Sequence, residues 1–388
     1  MLKKKLRTLS IAVMAGIGTI AATMTSCNDD DKITQAVEGQ VTNPENLNTI
    51  GGLYLLCQGN MGTNKCTIDR FDYNTGVYAR NIFASINPSA GYGLGDMGND
   101  IHILGNKLYV TVNGSNLLEV MDAKTSKHIK NIEIPNCRYI ADDGKYIYVS
   151  SYSGNMGLDP TLQQGFVARI DTASLTITGR CGVGYQPEQM VTAEGRLYVA
   201  NSGGYRYPDY DRTVSVIDLN SFSNTDTIDV AINLLAMQYD QKHGLIYVSS
   251  QGDYYTIPST VSIIDVKKNN VTGTIPGIAC KDMTLVGNNL YIFSSDWNYE
   301  TNAFANSFAV YDTDLRKVTT QNLITDGTDK DITSPYGIAV NPENGDIFIS
   351  DAGDFVNPGI LRCYSSQGKL RWSTTTGDIP SRIAFLNR

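Results

Sequence analysis

Three histidines, His102, His128 and His243, seven cysteines and a large set of tyrosines and amides bound the chemistry open to this 388-residue chain. An Asp/Glu excess of 39 over 31 Lys/Arg gives a net charge of -8, and no Lys/Arg-rich run provides the basic stripe that phosphate binding requires, which excludes nucleic acid as a partner. His128 falls beyond one apolar segment, His243 in a short turn and His102 in an alternating strand. No Ser-His-Asp, Cys-His or His-rich metal constellation gathers from these positions, and no catalytic residue, metal or cofactor is assigned. Asp96, Asp100, Glu188, Asp282, Asp296 and Asp351 leave a glycosidase-like carboxylate pair open. No Gly-rich phosphate loop precedes a helix, and no helix is expected beyond the N-terminal segment. The overall reading is a binding protein, not an enzyme.

The richest chemistry lies in a recurring set of loops. They carry Tyr152, Tyr205, Tyr207, Tyr210, Tyr254, Tyr255, Trp297, Tyr299, Phe304 and Phe355, with Asn60, Asn113, Asn155, Asn201, Gln251 and Asn298 among them. Such aromatics either pack the loops onto the fold or offer flat apolar contact beside amide hydrogen-bonding groups, a combination suited to a large neutral ligand bearing amides or hydroxyls. A second set, Tyr92, Asp96, Asp100, Arg138, Tyr185, Glu188, Lys281, Asp282, Tyr336 and Arg382, falls in the connections between repeats. Its mixed charges either grip a ligand or satisfy one another as ion pairs around a water-filled channel.

What positions these loops is a repeat. The pattern apolar-aromatic-apolar recurs at Tyr54, Tyr109, Tyr148, Tyr198, Tyr247, Tyr291 and Phe348, at intervals of 55, 39, 50, 49, 44 and 57 residues. Each copy is followed by an alternating segment ending in Asp72, Asp122, Asp171, Asp218, Asp265 or Asp312, with Ser365 in the seventh. These acids read as turn formers, because Asp and Ser accept backbone hydrogen bonds after a strand. Two more strands fit between successive copies, so each unit is a four-stranded meander, A to D, with the aromatic on strand B and the acid ending strand C. The expected fold is all-β: a seven-bladed β-propeller of four-stranded antiparallel blades. The first blade lacks its own strand A while the chain ends in the unpaired Arg382–Leu386, so the C-terminal strand is expected to join the first blade and close the ring.

In such a meander the A-B and C-D turns lie on one face, and the B-C and D-A connections on the other. The A-B turns are short, whereas the distance from the strand B aromatic to the end of strand C is 18, 13, 23, 20, 18, 21 and 17 residues. Insertions gathered on one face of a repeat fold mark its binding surface. The candidate ligand-binding residues are therefore Asn60, Tyr92, Asn113, Arg138, Tyr152, Tyr185, Asn201, Tyr205, Tyr207, Gln251, Tyr254, Tyr255, Trp297, Tyr336, Phe355 and Arg382.

Lys3, Lys4, Lys5 and Arg7 precede an apolar stretch from Leu9 to Thr23, too short to span a bilayer, which reads as a signal peptide over residues 1–26. Met24-Thr25-Ser26-Cys27 resembles a bacterial lipobox, making Cys27 the lipidated first residue. Residues 27–50 are then an acidic and polar tether, and 51–388 the propeller. Without residues 1–26 the chain carries 27 basic against 39 acidic side chains, or -12, so the membrane contact is the lipid itself. Cys57 and Cys66 flank the first B-C loop and are candidates for a hairpin disulfide, while Cys137, Cys181, Cys280 and Cys363 are read as buried small hydrophobes.

The lipobox followed by NDDDK, the GNMGTNKCTIDRFDYNTG segment, the GYGLGDMGNDIHILGNKLYVTVNGSNLLEVMDAKT stretch and the VSVID units resemble the YncE-like propeller lipoproteins of gut Bacteroidetes, in particular their BtuG-like cobalamin-binding members. The resemblance covers about residues 27 to 388. It implies exposure on the outer face of the outer membrane, capture of vitamin B12 or related corrinoids as transported ligand, and handover to a BtuB-like TonB-dependent transporter. A corrinoid is broad, apolar over its ring and rimmed with amides, which Tyr, Trp, Asn and Gln can meet. A glycan-binding or adhesive surface propeller, and a propeller glycosidase or lyase, are the alternatives.

Overall fold

The computed structural model describes residues 36–90, 93–154, 163–298 and 303–388, with backbone alone at 296–298 and 303–304. Within the unit Ile33–Arg388 it is a ring of seven antiparallel sheets, the seven-bladed propeller expected. The fourth blade typifies the others: strands Pro187–Ala193, Arg196–Asn201, Thr213–Asp218 and Ser223–Asp229 pair in sequence order from the axis outward. A strands of neighbouring blades contact one another around the axis.

Burial explains the sequence pattern. Strand B of each blade is covered on both sides by adjacent blades, so it reads as a continuous apolar run, as in the fully buried Ile246-Tyr247-Val248. Alternate residues serve alternate neighbours: Tyr54 and Leu56 pack with Leu108 and Val110 of the second blade, whereas Leu53, Leu55 and Cys57 pack with Phe348 and Leu361 of the seventh. The Tyr54 hydroxyl donates to the Ala123 carbonyl at 2.7 Å, tying blade to blade. Outer strands such as Asn270–Ile275 are largely exposed and polar.

The terminal acids of strand C act as turn formers. Amides of Asn74, Thr125, Ser174, Ser221, Lys267 and Leu315 donate to Asp72, Asp122, Asp171, Asp218, Asp265 and Asp312 at 2.8, 2.8, 2.7, 2.8, 2.9 and 2.8 Å. Hydrogen bonds from the turns hold the carboxyls of the last five below the ordinary range. Ser365 does the same, accepting from Gln367 at 3.3 Å.

The C-terminal strand Pro380–Asn387 pairs with Ile50–Cys57 and supplies strand A of the first blade. Glu343, in the A-B turn of the seventh blade, reinforces the closure by accepting from the Thr49 and Ile50 amides at 2.8 and 2.9 Å. Three features depart from expectation. Val37–Gln40, placed in the tether by its composition, pairs with Val77–Arg80 as a fifth, outermost strand. The D-A connections contain a short helix, Ile82–Ile86, and a single 3-10 turn, Thr328–Asp331, where no helix was expected. Cys57 and Cys66 are both free, not paired in a disulfide. Cys57 is opposite Thr67 in the ladder, so Cys66, one residue earlier, points to the other face; the two thiols lie in cores on opposite sides of the blade. The remaining described cysteines are buried and free. Among the described residues, no helix is long and apolar enough to cross a membrane.

Candidate functional site

The long loops of the fourth and fifth blades are pinched at their bases by glycines. Gly203 has φ +56, and a Cβ there would come within 2.1 Å of the Asp211 nitrogen. Gly252 has φ +63, and a Cβ would come within 1.9 Å of the Ile257 carbonyl. Only glycine fits such a close approach in the left-handed region. Each loop is then tied by an aspartate: Asp211 accepts from the Tyr185 and Thr213 amides at 2.8 and 3.0 Å, and Asp253 from the Tyr255, Thr256 and Ile257 amides at 2.9, 2.7 and 2.7 Å. The Ile257 amide and its neighbours hold the Asp253 carboxyl below the usual carboxylate range.

On these loops the tyrosines project. Tyr205, Tyr207, Tyr254 and Tyr255 are 62%, 64%, 61% and 71% exposed. Tyr207 makes edge contacts with Tyr210 at 6.0 Å and with Tyr255 of the adjacent blade at 6.1 Å, so rings of two blades form one surface. Phe355, on the seventh-blade loop, packs edge-on against Tyr336 at 5.5 Å. Its loop is held by Asp354, which accepts from the Val356 and Asn357 amides at 2.9 Å.

Several predicted site residues lie beneath that surface. Asn113 is buried and donates to Asn136 at 2.7 Å and the Cys137 carbonyl at 2.9 Å; buried Asn201 donates to Thr213 and Ser215 at 3.0 Å. Gln251 donates to the Cys280 carbonyl at 2.9 Å. Tyr152 is buried with its hydroxyl on Glu188 and the Arg138 guanidinium 4.6 Å from its ring centre. Asn113, Asn201 and Tyr152 thus tie the loops to the blades, since a buried amide or phenol must find its partners inside. Asn60 is half-buried at the first loop, its carbonyl accepting from Thr63 at 2.6 Å. Tyr92 lies outside the described residues, as does the side chain of Trp297, which is next to last in strand Asn289–Asn298 and opposite Phe304.

At the channel mouth the mixed charges pair. Arg138 meets Glu188 at 3.3 Å and Arg382 meets Asp282 at 2.6 Å, with Gln189 also donating to Asp282 at 3.4 Å. Tyr185 is half-buried, with the Arg206 guanidinium 3.8 Å from its ring centre, and Lys281 stands 4.7 Å from that of Tyr336. Asp96 accepts from Gly62 at 2.8 Å, Asp100 from Ile140 at 2.9 Å, and Asp351 pairs with Arg362 at 3.0 Å. Burial pushes the Asp100 carboxyl up, against the pull of Arg382. Each described carboxylate of the possible glycosidase set thus has a structural partner. Below the mouth, the channel holds a cavity of about 460 Å³ lined by Gln189, Met237, Met283 and Arg382 among others.

Each histidine is held by a carboxylate, and His102 also lines the channel cavity. His243 pairs with Asp240 at 2.6 Å and Asp314 at 3.1 Å, His128 with Glu119 at 2.7 Å, and His102 with Asp142 at 2.8 Å. Among the described residues, no group of three or more His, Cys, Asp or Glu side chains is placed to hold a metal ion.

Glu188, Asp211, Asp253 and Asp354 matter to this site, and the last three were not singled out in sequence. A signal existed: Asp253 to Thr256 and Asp354 to Asn357 repeat the Asp-x-x-Thr/Asn spacing of an Asx turn.

Fold and surface together define a β-propeller with one elaborated, tyrosine-bearing face. By sequence the chain belongs to the family described as Domain of unknown function (DUF5074), whose model matches residues 51–368. Antigen Lp49 of Leptospira interrogans is 32% identical over 120 residues, covering 28% of this chain and 26% of the antigen, so the chain spans about a quarter of that relative. Among solved structures, hydrazine synthase of Kuenenia stuttgartiensis is similar at a TM-score of 0.60 and 15% identity, over 75% of this chain and 95% of that one. A quinonprotein alcohol dehydrogenase-like protein of Bacteroides thetaiotaomicron is similar at 0.56 and 17% identity, over 87% and 79%. At these identities the likeness is one of fold.

Proposed function

We propose that this protein is a lipid-anchored surface lipoprotein of the outer membrane that captures a corrinoid such as vitamin B12 on its long-loop face and passes it to a BtuB-like TonB-dependent transporter. Binding, not catalysis, is the proposed activity. The observation that carries the reading is the exposed surface of Tyr205, Tyr207, Tyr254 and Tyr255, contributed by two blades on glycine-based loops. Preorganised tyrosines present apolar area and a hydroxyl at low entropic cost, which suits a broad apolar ring with an amide rim. Engagement of the neighbouring carboxylates in structural pairs favours binding over acid-base chemistry.

The test is calorimetry of the intact protein with cyanocobalamin beside a glycan panel. Cyanocobalamin should bind, with Tyr207→Ala, Tyr254→Ala and Trp297→Ala weakening it unequally, the central ones by about tenfold or more. His243→Ala, on the opposite face, should leave affinity unchanged. Absence of cobalamin binding at micromolar concentration refutes the ligand; a glycan bound in its place supports the adhesive reading; equal losses from both faces refute the site.

A further inference from the structure

The channel cavity beneath the mouth takes no part in the loop-face reading. Its volume of about 460 Å³ lies within the ~300–1,000 Å³ of small-molecule pockets. Its lining runs from Asp100, Gln189 and Arg382 to Val286 and Val340, the last residues of their A strands, and to Pro342 in the A-B turn of the seventh blade. The cavity therefore reaches toward the short-turn face, away from the loops. Its middle is an apolar girdle. Met190, Met237 and Met283 of three successive blades stand opposite Val199, Val248 and Ile292, each the residue after the strand B aromatic. Isoleucines hold the same register in the other four blades. Of the lining residues only Asp100, His102 and Arg382 carry ionisable side chains. Arg382 is committed to Asp282 at 2.6 Å and His102 to Asp142 at 2.8 Å. Asp100 makes no ion pair among the described residues; its two oxygens accept one backbone amide each, Ile101 at 3.0 Å and Ile140 at 2.9 Å. A carboxylate has about four acceptor positions, so acceptor capacity remains on a half-buried group that lines the cavity.

The geometry points to this cavity as a second binding site, entered from the short-turn face, for a small molecule with an apolar body and an ammonium head that meets Asp100. A carboxylate without a cation in a desolvated channel is costly, and a cationic donor offsets that cost through a charge-assisted hydrogen bond. The girdle encloses the apolar body, and its unbranched thioethers adapt to guests of different shape. An anion entering the same way meets the Asp100 carboxylate and finds Arg382 already committed. The site is separate from the tyrosine surface and does not depend on the corrinoid reading.

The experiment is calorimetric titration of the intact protein with benzylamine, benzyl alcohol and benzoate, which share one ring and differ in the charge of the head. The variants are Asp100→Asn, which removes the charge, and Thr284→Phe, which fills the cavity from another blade and leaves Asp100 in place. Each is checked for an unchanged melting temperature. Benzylamine should bind about tenfold more tightly than benzyl alcohol, the scale of one charge-assisted contact, and benzoate should not bind. Asp100→Asn should erase that preference, and Thr284→Phe should weaken both. Tyr207→Ala, on the loop face, should leave amine binding unchanged. No amine binding at millimolar concentration, an amine held no more tightly than the alcohol, or a preference that survives Asp100→Asn overturns the site. Amine affinity unchanged in Thr284→Phe overturns it as well, whether or not Asp100→Asn folds. A protein that binds benzylamine but not cyanocobalamin keeps this site and loses the corrinoid reading. One that binds cyanocobalamin but not benzylamine keeps the corrinoid reading and loses this site.

Discussion

Truncation after Asp378 removes the strand Pro380–Asn387 and tests the closure on which every blade depends. The strand runs along Ile50–Cys57 from Asn387 opposite Ile50 to Pro380 opposite Cys57, so its loss strips a ladder and leaves the inner edge of the first blade bare. Leu386, 6% exposed, leaves the core between the first and second blades; burial of one Leu contributes ~1.5–3 kcal/mol. The half-buried Ile383 and Phe385 leave the core shared with the seventh blade. Arg382 leaves Asp282 buried without its cation, a defect costing ~3–5 kcal/mol. With the lost ladder, at about 1 kcal/mol per hydrogen bond, the total approaches the ~5–15 kcal/mol that holds a domain folded. Circular dichroism melting and urea unfolding should show no cooperative transition near that of the intact protein, and a synthetic peptide of residues 379–388 should restore it in part. Leu386→Ala alone, at ~2–5 kcal/mol, should lower the melting temperature by only several degrees. A truncated protein that melts within a few degrees of the intact one refutes the closure.

Other expectations are more local. Cys27→Ala should release the protein from membranes or block its maturation, and mass spectrometry finding an unmodified Cys27 on the native mature protein would exclude lipidation. Alkylation should leave Cys57 and Cys66 unmodified in the folded protein and label both after denaturation without reductant, because both are free and burial pushes their thiols up; labelling that needs reductant would show a disulfide. Burial pushes the Glu119 carboxyl up to about 7, outweighing the His128 contact. A raised folded-state value means the native protein holds the proton more tightly, so this stabilising contribution is complete below the unfolded value near 4.5 and is lost as pH rises through about 7. Glu119→Gln should flatten the stability profile between those limits in urea titrations at stepped pH, and an unchanged slope would show that Glu119 titrates normally.

The local character of the repeat made much of this protein legible without coordinates. The aromatic of strand B, the acid ending strand C and the unpaired Arg382–Leu386 are short-range patterns, and alternation with a fixed turn chemistry dictates a four-stranded meander whose only way to bury both faces is a ring of like sheets. Loop lengths likewise showed which face is elaborated, and the tyrosines at 205, 207, 254 and 255 do stand exposed there. What escaped the sequence depends on packing across blades. Asn113 and Asn201 have the same local setting as exposed loop amides, and only the neighbouring backbone and hydroxyls that surround them decide that they are buried supports. Cys57 and Cys66 lie close along the chain, yet the ladder register turns them into opposite cores. The pairing of Arg382 with Asp282 joins residues 100 positions apart, and that of Arg138 with Glu188 joins residues 50 apart. The burial of these pairs exists only where seven A strands meet at the axis, because burial is a property of the assembled ring and not of any segment of it.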